Sequence, residues 1–139
     1  MDFLSSMRVS ASALNAQQTR MNTTASNIAN AETAGYKRKD PVFEANTDRE
    51  SFGSILNNEM DEHVQGVLVS DIAEDTRPPR LVYDPSNPKA RPDGYVEMPN
   101  VSVAEEMANT VSASRSYEAN ITALNAAKAM AMKALDIGK

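Results

Sequence analysis

All seven prolines of this 139-residue chain lie between Pro41 and Pro99, and residues 1–40 and 100–139 contain none. Proline costs about 3 kcal/mol inside a helix, so two long proline-free ends around a proline-rich middle predict two helices flanking an insertion. Charge follows the same division. Residues 1–39 carry five basic and two acidic groups, net +3, while residues 40–75 carry ten acids against Arg49 alone, net −9. Residues 76–102 come to +1 and residues 103–139 to zero.

Both ends have a helical period. Leu4, Met7, Ala11, Leu14, Gln18, Met21, Ala25 and Ile28 keep strict 3-4 spacing, the mark of a coiled-coil seam. Residues 3–31 as a helix span roughly 40 Å, with Gly35 as the expected stop and Pro41 barring continuation. Val103, Met107, Thr110, Ser114, Tyr117, Ile121, Leu124, Lys128, Ala131 and Leu135 repeat the spacing over roughly 50 Å. Ser102 and Glu105 stand where a capping box would open that second helix. The predicted fold is mainly α with a small β insertion. The terminal helices pair as an antiparallel coiled coil formed by residues 1–36 and 100–139, and residues 37–99 make a loop-rich unit with a β-hairpin. Within that insertion Glu44 to Asn58 reads as a loop or weak helical turn. His63 to Ser70 and Arg80 to Asp84 read as strands, Asp71 to Pro79 as an acidic connection, and Gly94 to Met98 as a short returning strand. Two strands alone are marginal, so the unit needs support from a helix or a partner.

The faces outside the seams are unusual. Within residues 3–31 the charges are Arg8 and Arg20 alone, while Ser, Thr, Asn and Gln fill fourteen positions. These residues are poorer helix formers than the Lys and Glu of ordinary surface helices. Such a helix is marginal by itself and suits one whose outer face is covered by neighbouring subunits. The simpler alternative is a long helix with a weakly polar surface. The isolated arginines Arg8, Arg20 and Arg115 are candidates for directional contacts with carboxylates, Glu105, Glu106 and Glu118 being available. The seam residues Leu4, Met7, Leu14, Met21, Ile28, Val103, Met107, Tyr117, Ile121, Leu124 and Leu135 are the expected subunit-interface positions. Arg8, Arg20, Arg115 and Glu118 are the expected polar ones.

Composition removes most chemistries. There is no Cys and one His, which excludes disulfides, thiolate sites and histidine metal clusters. A net charge of −5 argues against nucleic acid. The longest apolar run is four residues, far short of the twenty or so that span a membrane. No basic and apolar leader is visible at the start. His63 beside Asp61 and Glu62 is no catalytic constellation, and the acids of 59–75 lack the alternating ligands and central Gly of a calcium loop. No enzyme activity, cofactor or metal is expected.

Ala13 to Gln18, then Ala25-Ser26-Asn27-Ile28-Ala29-Asn30-Ala31, then Gly35-Tyr36-Lys37-Arg38 resemble the N-terminal signature of the flagellar axial proteins: rod, hook and hook-associated. Ala34 departs from the pattern, where Pro is common. Asp84-Pro85-Ser86-Asn87-Pro88, Gly94-Tyr95-Val96, Met98 to Val101, Glu105 to Met107, Arg115 to Asn120 and the closing Ala134 to Lys139 are similar to proximal-rod members of that class. The resemblance covers nearly the whole chain apart from about 40–62. It implies a structural subunit packing with many copies into a hollow periplasmic drive shaft of the flagellar basal body. It also implies export unfolded through the flagellar type III apparatus, and as neighbours the rod proteins FlgB, FlgF and FlgG, the rod-base adaptor FliE and the membrane ring. A different short rod component, FlgB-like or FlgF/FlgG-like, is the nearest alternative, and a helical-hairpin adaptor is the next.

Overall fold

The computed structural model describes residues 3–46 and 66–137. The order of elements is helix α1 (Phe3–Ala29), strands β1 (Lys39–Ala45), β2 (Val67–Glu74), β3 (Arg80–Tyr83) and β4 (Tyr95–Met98), then helix α2 (Val103–Ile137). The two proline-free ends are the two long helices, as their composition requires. They run antiparallel. Thr24 meets Thr110 and Asn27 meets Glu106, so position rises along one helix as it falls along the other.

α2 opens as expected, with the Glu105 N–H donating to Ser102 Oγ at 3.4 Å. α1 closes earlier than expected. Gly35 does have the left-handed conformation, φ 81°, but the helix has already ended at Ala29. Asn30 donates its side-chain amide to Ser26 O at 2.8 Å, and successive turns carry the chain to Gly35. Short polar side chains compete for the last carbonyls of a helix, and here Asn30 closes it. Gly35 instead closes the following loop, its N–H donating to Glu97 O at 3.0 Å.

The β1–β2 ribbon lies along α1. Asn27 contacts Lys39, Arg20 stands 5.1 Å over the ring of Phe43, and the Val67 N–H donates to Ser12 Oγ at 3.0 Å. β1 was not anticipated, because Pro41 reads as a breaker. Each strand of a two-stranded ribbon has one open edge, where a missing N–H costs nothing. β2 extends to Glu74, so Asp71 to Glu74 are strand rather than connection. Pairing with β1 draws them in, Asp40 opposite Ala73 and Pro41 opposite Ile72. The register slips by one between Val42 and Phe43, leaving Ser70 as a bulge whose hydroxyl reaches Val42 O at 3.4 Å. Residues 47–58 of the expected loop, and Glu59, Asp61, Glu62 and His63, lie outside the described residues.

β3 and β4 pair Arg80 with Met98 and Tyr83 with Tyr95. The Asp84-Pro85-Ser86-Asn87 stretch is a side-chain-capped turn, with Ser86 N–H and Oγ both donating to Asp84 Oδ1. Gly94, at φ 80°, lets the loop return beneath Tyr83. Val96 is the one large apolar side chain of this pair that is fully buried, at 1% exposure. The core of the described chain is thin and made of small groups. Ala16, Thr23, Thr24, Asn27 and Ala31 line it from the α1 side, and Glu106, Ala113 and Ala127 from α2.

Candidate assembly interface

The helix pair is pinned at one end by a buried polar junction built from the signature segment. Asn27 is wholly buried and uses its full hydrogen-bonding capacity. Its Nδ2 donates to Lys39 O at 2.8 Å and to Glu106 Oε2 at 3.0 Å. Its Oδ1 accepts from the Lys39 N–H at 2.9 Å and from the Tyr36 hydroxyl at 3.0 Å. Glu106, also 0% exposed, takes Arg38 Nε on its other oxygen at 2.8 Å. Arg38 bonds Asp40 as well. Burial opposes the guanidinium charge, yet the bonds to Asp40 and Glu106 prevail and Arg38 is raised above its ordinary value. One asparagine thus joins α1, β1 and α2, and one arginine neutralises the carboxylate that α2 brings in.

Sequence reasoning singled out the motif but not this role. It offered Glu106 to Arg8, Arg20 or Arg115. Arg38 is instead committed to Glu106 within the chain, and Lys37 pairs with Glu74 at 3.2 Å. Arg20 is turned onto Phe43 rather than onto a carboxylate. The signal for the junction was the coincidence of Asn27, Tyr36 and Arg38 in a stretch short enough to wrap one helix end.

The seam positions divide. Met7, Leu14, Met21, Ile28, Tyr117 and Leu124 are half-buried. Val103, Met107, Ile121 and Leu135 are exposed, Met107 at 55% and Leu135 at 73%. Leu4 lies in the first turn of α1. The inward face of α2 runs through Glu106, Ala113 and Ala127, one position before the expected seam residues Met107, Ser114 and Lys128. The physical reason is the carboxylate: burying Glu106 on Arg38 and Asn27 rotates α2 and turns Met107 out. On α1 an exposed stripe runs through Arg8, Ala11, Asn15, Gln18, Asn22, Ala25 and Ala29, again at 3-4 spacing, with Ser26 exposed beside it. Within that stripe Arg8 is the sole charge. Arg115 and Glu118 are exposed on α2. Among the described residues no cluster of His, Cys, Asp and Glu could hold a metal ion, and no helix is long and apolar enough to cross a membrane.

Two long helices are thus joined at their signature end, and an outward stripe of α1 is nearly free of charge. Comparison with known proteins gives the class. Residues 7–37 match the family model described as flagella basal body rod protein. Residues 93–137 match the one described as flagellar basal body rod FlgEFG protein C-terminal. The chain is therefore of the flagellar rod class. It is 48% identical to the flagellar basal-body rod protein FlgC of Bacillus subtilis, covering 96% of this chain and 97% of that one. Identity is 42% to the FlgC of Escherichia coli O6:H1 and 41% to that of Salmonella typhimurium, each over the full length of both chains. The chain belongs to the FlgC family and is a structural subunit of the flagellar basal-body rod.

Proposed function

We infer that this subunit sits in the proximal rod and builds the tube by lateral packing of its helix pair. Residues 1–36 and 100–139 form its inner, coiled-coil part, and residues 37–99 reach outward from it. The observation that carries this is the outward stripe of α1. From Ala11 to Ala29 it presents alanines and neutral amides without one fixed charge, while α2 leaves Val103, Met107, Val111 and Ile121 in solvent. Water-facing helices solubilise themselves with Lys and Glu, whereas faces that neighbours will cover avoid stranded charge. Under this reading the rod carries torque from the membrane ring towards the hook, and its bore passes exported subunits. The chain itself leaves through the flagellar type III apparatus into the periplasm, and FlgB, FlgF, FlgG and the adaptor FliE are its neighbours. A structural role accounts for the use of Asn27 and Glu106 in packing rather than chemistry. The test is the composition of basal bodies purified after removal of hook and filament, with deletion and complementation for motility. The chain is expected in the rod fraction, and its loss is expected to leave no rod beyond the membrane ring. Normal rods in the deletion strain would overturn the assignment.

A further inference from the structure

We propose that the outward groove of α2 receives the α1 stripe of a second copy of this chain, aligned by an Arg8–Glu118 ion pair; this rests on the rod reading above. The groove, about 540 Å³, runs along Met107, Ala108, Val111 and Ser112, with Arg115 on its rim. Met107 and Val111 are both 55% exposed, so two large apolar side chains stand in water on a helix otherwise rich in Ala and Ser. What fits beside them is a helix with little side chain of its own. The exposed stripe of α1 is such a surface.

Direction and register follow from the chain itself. α1 and α2 are antiparallel within one copy, so copies arranged with common polarity bring α1 of one antiparallel to α2 of the next. Arg8 is the one charge of the α1 stripe, and Glu118 lies beyond Arg115 on the outward side of α2. Among the described residues neither enters an ion pair. Setting Arg8 against Glu118 places Ala11 beside Arg115, Asn15 beside Val111 and Gln18 beside Ala108. The small side chain of Ala11 leaves room for the guanidinium, and Gln18 lies over the small side chain of Ala108. From Arg8 to Ala25 the stripe is about 26 Å long, matching the span of about 22 Å from Val103 to Glu118.

The contact joins two different surfaces, so it does not close into a symmetric dimer. It repeats from copy to copy, the geometry that generates rings and helical tubes. A strip about 26 Å by 10 Å also lies well below the roughly 800 Å² per partner of a stable pair, so it holds only where other neighbours add to it. The test therefore belongs in the assembled rod. The chain has no cysteine, so introduced thiols are unambiguous. Asn15 and Val111 of one chain cannot be bridged: Thr24 is what meets Thr110, and Asn15 lies on the order of 13 Å further along α1. Cells producing Asn15→Cys and Val111→Cys chains together should yield, on oxidation of isolated basal bodies, a dimer of one chain of each kind. Arg8→Glu should lower its yield about tenfold, and Glu118→Arg on the partner chain should restore it. No mixed dimer, although both chains are present in the rod, overturns the contact and leaves the rod assignment standing. Failure of the charge swap to restore the yield overturns the register. Absence of the unaltered chain from basal bodies overturns the rod assignment and the contact with it.

Discussion

Replacing Arg38 by Gln should be the most damaging conservative change near the signature loop. Glu106 has no solvent exposure, and Arg38 Nε, 2.8 Å away, is the cation that neutralises it. Removing one partner of a buried pair costs about 3–5 kcal/mol, because the other charge is left in a poor solvent. Here the lower end applies, about 3 kcal/mol, since Asn27 Nδ2 still donates to the carboxylate at 3.0 Å. With a urea slope of about 2 kcal/mol/M, the unfolding midpoint should fall by about 1.5 M. Glu106→Gln removes the charge and keeps the shape, so it should cost only about 1–2 kcal/mol. The double variant should then be close to Glu106→Gln alone, a coupling of about 3 kcal/mol. The assay is urea unfolding of the full chain by circular dichroism, with hydrogen exchange at the Lys39 amide as the local readout. Strict additivity of the two changes, within about 0.5 kcal/mol, would refute the view that a buried charge pair fastens α2 to the loop.

Asn27→Asp should be worse than Asn27→Ala despite its shape, because it sets a second carboxylate beside Glu106, where like charges about 4 Å apart repel by about 4 kcal/mol at an effective dielectric of 20. Its defect should lessen as pH falls and the new acid regains a donor proton, seen as recovered Lys39 amide protection; a defect unchanged by pH would count against this. Gly35→Ala and Gly94→Ala both force a residue into the left-handed region, about 1 kcal/mol each, but an added Cβ meets nothing within 4 Å at Gly35 and lies 2.8 Å from Tyr83 Cε2 at Gly94. The Gly94 variant should therefore lose clearly more stability, and equal losses in thermal unfolding would contradict the clash. The Arg77 guanidinium and N–H hold the Asp75 carboxyl down at about 2, from an ordinary 3.8. Since the folded value is the lower one, the stabilisation from this pair is present above about pH 4 and lost as pH falls through about 2. An NMR titration should place the midpoint there and return it towards 3.8 in Arg77→Gln.

The helices were legible because their signals are global. Forty residues without proline at each end and a sustained 3-4 period leave few alternatives, and both long elements were placed within a few residues. β1 was hidden by Pro41, whose cost depends on whether an edge is open, a fact of tertiary pairing. The rotation of α2 was hidden because spacing alone ranks Met107 as core and Glu106 as surface. Only the arrival of Arg38 and Asn27, from residues 68 and 79 positions away, makes the carboxylate the better residue to bury. The signature segment was recognisable as a pattern, but its physical content, one asparagine saturated with four bonds, needs the loop and α2 in place.

That junction answers a difficulty built into a helix pair of this composition. Ala16, Ala113 and Ala127 are buried, and Thr24 and Thr110 touch at 3.0 Å, but none of these interlocks in the way large apolar knobs do. A slide of one turn, about 5.4 Å, would set alanines against alanines or serines again at little cost in apolar contact. The same slide would carry Glu106 away from Arg38 and Asn27 together and leave a bare charge in the core, a loss of several kcal/mol. Register is thus fixed by the one charged residue on the inward face of α2, much as a single buried polar group sets the register of a coiled coil. Fixing it inside the chain also fixes how the outward stripe of α1 lies relative to Met107, Val111 and Glu118. A subunit whose two outer surfaces could drift by a turn would offer its neighbours no single geometry, and a rod that must resist twist needs one.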